Sequence, residues 1–340
     1  MKFKLLVDSD EFWDHLKNDI VDAKISIRIQ TLSFEADSVG KALSDCMQLS
    51  NAKDKRIIID SMFTRFMHND KFILWPKNYF DRKLYREVKE TRRIINELKK
   101  SGVRVKHVNN PGFLFHSVLK RNHKKIITID ESISYLGGIN FCEHNFEWHD
   151  MMLRIENREI AIQLERDFIS TWNDDSQFWT TKIDDVVFHS LNGKNNAVGF
   201  LPIFDLISNA KKSIMIESPY LSFPFYKRLG DARRRGVGVT LITPMKNNWP
   251  FYSDYTKRSC KKYDIDLKLL NIDMSHLKAI LIDGEILVVG SSNFDWFSYK
   301  FLEEIIAVIR DKEFIGDFNE RVLCKDISNS ISYVHNGTTV

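Results

Sequence analysis

Two stretches of this sequence repeat a histidine, a lysine and an asparagine at the same offsets. Arg121–Asn140 reads RNHKKIITIDESISYLGGIN, and Met274–Asn293 reads MSHLKAILIDGEILVVGSSN. His123, Lys125, Asp130, Gly137 and Asn140 in the first correspond to His276, Lys278, Asp283, Gly290 and Asn293 in the second. An imidazole can attack phosphorus or move a proton, an ammonium neutralises anionic oxygens, and a carboxamide donates to them. In an extended segment residues i and i+2 share a face, so His123 and Lys125 project together while Lys124 points away. After the turn near Asp130–Ser132 a second strand returns. Its glycine allows close backbone approach, and its asparagine ends beside the His/Lys pair. Two such sets around one cavity suit a tetrahedral anion. Lysines and asparagines hold its oxygens, one histidine attacks, and the other protonates the leaving group.

The elements that must carry these groups alternate along the chain. Strand-like runs include Arg56–Asp60, Val103–Val108, Lys125–Asp130, Ser213–Glu217, Val239–Thr243, Lys278–Asp283 and Ile305–Ile309, with helix-like segments such as Asp81–Lys100 between them. Short continuous apolar strands between helices point to sheets covered on both faces, hence an α/β or mixed α+β class. A second echo, AKISIRIQTLSFE at Ala23–Glu35 against AKKSIMIESPYLS at Ala210–Ser222, marks a tandem duplication. We expect two pseudo-symmetric halves, 1–180 and 181–340, each a sheet flanked by helices, with the site at their interface. The polar stretch Asn173–Asn196 is the expected boundary. Ala23 precedes His123 by 100 residues and Ala210 precedes His276 by 66, so the first half carries about 34 extra residues. They are placed near 62–93, a stretch rich in Phe, Trp and Tyr that runs into a helix with eight Lys/Arg and four Asp/Glu. On that helix Leu84, Val88, Thr91, Ile95 and Leu98 form one stripe, which packs on the core or lies on a lipid surface.

Composition narrows the function classes. Charged residues make up 28% and hydrophobic residues 43% of the 340, as in an ordinary globular protein. The apolar runs are too short to span a bilayer, and the N-terminal apolar stretch is too short for a signal peptide. Cys46, Cys142, Cys260 and Cys324 form no CxxC pair and read as reduced thiols in a cytoplasmic protein. Cys142, His144 and His149 fit no common zinc spacing and are expected in loop and surface roles, so no metal and no cofactor is assigned. A net charge of +4 permits anionic partners without demanding nucleic acid.

The paired HxKxxxxD pattern resembles the phospholipase D superfamily, in which many members carry it twice. Within it, RNHKKIITID…GGIN, Trp148-His149-Asp150 followed by MLRIE, ESPY at Glu217–Tyr220, and HLKAILID…GSSNFD are similar to bacterial cardiolipin synthase-type proteins. The family's usual Arg before the Ser of the last block is Phe297 here, and its usual Asn near the end is Leu302. The resemblance implies a two-step reaction on phospholipids through a phosphohistidine, with His123 as nucleophile and His276 as general acid and then base, or the reverse. It also implies that an acid near the end of each block, Asp150 and Glu304, holds the second ring nitrogen of a histidine. Asp130 and Asp283 belong to the motif as catalytic candidates or, by strand parity, as turn-forming carboxylates. The implied location is cytoplasmic, peripheral on the inner membrane face. A nuclease of the same superfamily and a non-catalytic phosphate- or lipid-binding protein remain the alternatives.

Overall fold

The computed structural model describes residues 2–115 and 117–333, so the last residues expected in the second half lie outside the described ones. Ile126–Ile129 (IITI) and Ala279–Ile282 (AILI) are buried at every position. Successive side chains of a strand face opposite ways, so each of these strands feeds two cores. Ile126 and Leu136 join a core shared with the second sheet, while Ile127 and Tyr135 pack under the first sheet's outer helices. Burial on both faces is why the strands read as unbroken apolar runs.

The first sheet has seven strands, in the order Lys2–Val7, Met151–Glu156, Ile133–Gly137, Ile126–Ile129, Ser26–Thr31, Asp54–Asp60, Arg104–Val108. The nine-stranded sheet contains Glu303–Ile309, Ile286–Gly290, Ala279–Ile282, Ser213–Glu217, Gly238–Pro244 and Asp266–Leu270 in the same succession as the last six strands of the first. In both, the final three strands are parallel and the rest antiparallel. This is the mixed α/β arrangement expected, and the repeated strand order matches the repeated sequence. The inner faces of the two sheets share one core with helices Arg158–Trp172 and Lys312–Phe318.

The structure adds detail to the expected layout and corrects part of it. Much of the polar stretch 173–196 is sheet: Trp179–Ile183 and Val186–Asn192 form the outer hairpin of the second sheet. The extra residues of the first half are not confined to 62–93. From Asp60 to Arg104 is 44 positions, against 22 from Pro244 to Asp266, and the loop from Val108 to His123 is also longer than that from Leu270 to His276. The helix Arg82–Lys100 is itself the counterpart of Pro250–Tyr263, since each connects the two outer parallel strands. It starts on Asp81, whose Oδ1 accepts from Leu84 N at 3.0 Å, and ends near Gly102 at φ +91°. Its stripe of Leu84, Val88, Thr91, Ile95 and Leu98 is buried inside the protein, so that face is not free for lipid. The first of the two additions, 61–81, folds as a short helix, a hairpin and a turn. Phe66 and Phe72 pack edge-on against Phe115.

Candidate active site

His123 and Lys125 lie just before the strand Ile126–Ile129, not within it. Here the backbone turns from its own sheet to the other half. Asn122 bridges to Glu303, and His123 N donates to Glu303 O at 2.9 Å. The second motif mirrors this, with Ser275 bridged to His149 and His276 N donating to His149 O at 2.7 Å. These reciprocal bridges bring the two motif segments to one place. His123, His276, Asn140 and Asn293 line a single cavity of about 700 Å³. Lys125 and Lys278 lie beneath the histidines, at most 2% exposed. Lys125 Nζ donates to His123 O at 2.8 Å, and Lys278 Nζ donates to His276 O. Lys124 turns away, as its parity requires, into a buried ion pair with Asp167 at 2.8 Å.

The acids cross between the halves. His123 Nδ1 is 3.0 Å from Glu304 Oε1 and 3.1 Å from Oε2, so a first-half histidine is held by a second-half carboxylate. His276 Nδ1 is 2.8 Å from Asp150 Oδ2, the reverse arrangement. Ser298 Oγ donates to Glu304 Oε1 at 2.8 Å, and Ser291 Oγ donates to Oε2. Ser291 occupies the position that is Gly138 in the first repeat. A Cβ on Gly138 would collide with the Asp150 carboxylate, which explains the first GG. Each acid leaves Nε2 of its histidine free for phosphorus.

Burial keeps both imidazoles neutral. It lowers His276 to about 3, helped by Lys278 and opposed by Asp150. It also lowers His123, opposed by Glu304 and helped by Lys125. Burial likewise lowers Lys125 to about 7 and Lys278 to about 8, opposed by Glu304 and Asp150 respectively. Burial disfavours charge on the two acids, yet both stay below the ordinary carboxylate value. His123, Lys125 and Ser291 hold Glu304 down, and Lys278 and His276 hold Asp150 down. A phosphodiester anion entering here would favour the charged lysines and an imidazolium.

Asp130 and Asp283 are not brought to the cavity. Asp130 accepts from the backbone N–H groups of Lys24, Ile25 and Ser26 at 2.7–2.9 Å, and Asp283 from Lys211, Lys212 and Ser213 at the same range. Both sit at positive φ in the turn and tie it to the start of the neighbouring strand. They are turn carboxylates. Asp130→Ala should therefore cost about 1–2 kcal/mol of stability in urea denaturation, with turnover per folded molecule unchanged. A catalytic role would instead show as a loss of ~10²-fold or more at unchanged stability.

Sequence reasoning missed several cavity residues. Trp148 packs its ring against His276 at 5.3 Å, and Tyr220 approaches the same imidazole at 6.4 Å; both stand in the quoted WHD and ESPY elements. Glu35, Asp70 and His144 form a polar corner, where burial raises Glu35 to about 8. The remaining wall is largely apolar, with Met62, Phe63 and Met67 from the added segment facing Trp249, Phe251 and Tyr252. At the mouth Leu119, Trp249, Phe251 and Phe297 are 41–62% exposed. Phe63 lies in the aromatic stretch near 62–93 and Phe297 in the last block, both singled out in the sequence, whereas no local pattern marked Leu119, Trp249, Phe251 and Tyr252, which meet from distant loops.

Two sets of side chains have metal-ligand types in proximity: Glu35, Cys142 and His144, and His149, Glu217 and Asp326. Burial raises the Cys142 thiol well above its usual value. Burial opposes charge on His149, but Asp326 and Asp8 raise it to about 11. Contrary to the surface roles expected, Cys142 is fully buried and His149 is clamped between Asp8 at 2.7 Å and Asp326 at 3.1 Å.

This geometry agrees with comparison to known proteins. Residues 16–172 and 203–323 match the family model described as cardiolipin synthase, PLD-like domain. The chain belongs to this family. Among relatives, cardiolipin synthase 1 of Staphylococcus epidermidis is 27% identical over 358 aligned residues, covering 97% of this chain and 68% of that protein. The minor cardiolipin synthase ClsB of Bacillus subtilis is 28% identical, covering 68% of this chain and 63% of that one. Among solved structures, phosphatidylserine synthase of Haemophilus influenzae matches with a TM-score of 0.74 at 17% identity, over 98% of this chain and 88% of that one. Polyphosphate kinase of Porphyromonas gingivalis matches with a TM-score of 0.64 at 13% identity, over 97% and 48%. At these identities the structural matches speak for the fold. It is the fold of the phospholipase D superfamily, as the family's motifs implied.

Proposed function

We propose that this protein is a phospholipase D-type phosphatidyltransferase that acts on phospholipids in the manner of a cardiolipin synthase. Family membership and relatives named cardiolipin synthase support this reading. The single observation that carries it is the pair of carboxylate-held histidines opening into one apolar-walled cavity. A cavity of about 700 Å³ lined by Met, Phe and Trp accommodates a lipid glycerol backbone and the start of its acyl chains better than a polyanionic nucleic acid strand.

In the first step His123 Nε2 attacks phosphorus and forms a P–N bond. The P–O bond to the leaving alcohol breaks, and His276, which has taken up a proton with the bound phosphodiester anion, gives its Nε2 proton to that oxygen and returns to the neutral imidazole. In the second step His276 takes the proton from the acceptor hydroxyl, whose oxygen attacks phosphorus and releases His123. His123 is the better nucleophile of the two. Glu304 meets its Nδ1 with both oxygens while also accepting from Ser291 and Ser298, whereas Asp150 meets His276 Nδ1 with one oxygen and lies 3.8 Å from Lys278. Lys125, Lys278, Asn140 and Asn293 balance the charge on the phosphoryl oxygens. Asn293 Oδ1 has no hydrogen-bond partner among the described residues, so its amide is free to turn toward a ligand. Asn140 is oriented by Asn145 at 2.7 Å and Thr31 at 3.3 Å.

The division into two duplicated units, expected at 1–180 and 181–340, is part of this reading; the repeated strand order supports it, with the strand Trp179–Ile183 belonging to the second unit. No helix among the described residues is long and apolar enough to cross a membrane. The exposed Leu119, Trp249, Phe251 and Phe297 at the cavity mouth support peripheral contact with the cytoplasmic membrane face, the cavity opening toward the lipids.

The test is turnover of the purified protein on phosphatidylglycerol, with single- and double-stranded DNA as the competing substrates. Transfer or hydrolysis of the phospholipid that persists in EDTA is expected, because lysines and asparagines stand where metal-dependent phosphodiesterases have carboxylate clusters. Loss of activity in EDTA with recovery on adding Mg²⁺ or Zn²⁺ would overturn the mechanism, and cleavage of DNA alone would overturn the substrate class.

A further inference from the structure

A second cavity, of about 420 Å³, lies away from the histidines. It is lined by Thr64 and Arg65 of the added segment, by Arg92, Ile95, Asn96 and Lys99 of the helix Arg82–Lys100, and by His107 of the edge strand Arg104–Val108. Positions 92, 95, 96 and 99 recur at the spacing of one helix face, so they point into the cleft together. That face carries no acid. The helix's acids serve elsewhere: Arg93, on the neighbouring face, pairs with Glu90 and Glu97. Among the described residues no carboxylate lies within ion-pair distance of Arg65, Arg92 or Lys99.

Lys99 at the helix C-terminus also complements the helix dipole. Arg65 ends the short helix Ser61–Arg65, while Arg92 and His107 have no such role. On the neighbouring strands Arg56 and Arg104 share Asp54, so the carboxylate nearest that edge is already engaged. Three unpaired cations around one concavity raise its potential, and His107 reports it. Burial first, and then Arg65 and Lys99, lower this histidine to about 4. The neutral ring can still donate one N–H. Arg forks, an ammonium, a carboxamide and a hydroxyl make many donors converging on one space, the pattern for a tetrahedral oxyanion and not for a single carboxylate.

We propose that this cleft is a second anion site, separate from the catalytic cavity, which takes the phosphate group of a phosphoester. The phosphate belongs to an anionic lipid head group or to a small soluble phosphate; the recognising chemistry is the same. The short helix Ser61–Arg65 connects the two cavities physically. Met62 and Phe63 face the catalytic cavity, and Thr64 and Arg65 face this cleft. An occupant therefore braces the added wall of the catalytic cavity from behind.

The experiment follows binding without turnover, so its outcome is independent of the catalytic reading. His107 imidazole resonances are monitored by NMR while inorganic phosphate or glycerol 3-phosphate is titrated in. In parallel, co-sedimentation is measured with vesicles of phosphatidylcholine alone and with added phosphatidylglycerol. The variant is Arg65→Ala/Arg92→Ala/Lys99→Ala, with Arg93→Ala as control and thermal melting to confirm folding. Near an anionic surface each lost cation costs roughly fivefold in affinity, so the triple variant should bind anionic vesicles on the order of a hundredfold more weakly. The control should bind as the parent does. A saturable His107 shift with soluble phosphate, lost in the triple variant, identifies a small phosphate as the ligand. A response to anionic vesicles only identifies the lipid head group. No His107 response to either ligand overturns the proposal, as does equal binding by parent and triple variant.

Discussion

His123→Ala is expected to abolish the covalent intermediate and to lower turnover by roughly 10⁴-fold or more, since no other side chain can take over the attack. His276→Asn is expected to behave differently. It removes the proton donor but leaves the nucleophile, so a substrate with a good leaving group should still form the intermediate slowly, the loss shrinking as the leaving group improves. Both histidines open into the same cavity, so the distinction lies in their partners: Glu304 meets His123 with both oxygens, and Asp150 meets His276 with one and lies 3.8 Å from Lys278. Phosphate-labelled substrate, quenched in alkali and tested for acid-labile label on the protein, reads the result directly. Label on His123→Ala and none on His276→Asn would reverse the roles of the two halves.

The crossed carboxylates provide the second large effect. Glu304→Gln should lower kcat/KM by roughly 10²–10⁴-fold, and Asp150→Asn should do the same through the other histidine. An amide can present either N–H or C=O to Nδ1, so it no longer enforces the tautomer that leaves Nε2 with its lone pair. The pH dependence separates this from simple unfolding. Glu304 opposes the lowering of His123 by burial and Lys125. Without it His123 falls further and stays neutral to lower pH. The acid limb of kcat/KM should therefore move to lower pH while the plateau drops. A plateau loss with an unmoved limb and a lowered melting temperature would mean that Glu304 acts only as a structural acceptor for Ser291 and Ser298. Because each acid belongs to the other half, neither half contains a complete histidine–carboxylate pair.

Much of this was legible in the amino-acid order. The spacing of His123, Lys125 and Asn140 and of their counterparts depends on strand alternation and on one turn, which are local. A duplicated block advertises itself because each copy must build the same sheet. The choice of Asp150 and Glu304 as the acids was legible through family resemblance, and the turn role of Asp130 and Asp283 through parity. Tertiary structure alone decided which acid serves which histidine, since Glu304 is 181 residues from His123 and Asp150 is 126 from His276. It also decided that the extra residues divide between two loops and that the helix stripe faces inward. Only the fold could gather Met62, Trp148, Tyr220 and Trp249 into one wall, or Arg65, Lys99 and His107 into one cleft. Periodicity reports which side of an element is buried, through the geometry of a single strand or helix. Which distant side chain lies across that surface depends on how the two sheets pack, and no spacing within either segment encodes it.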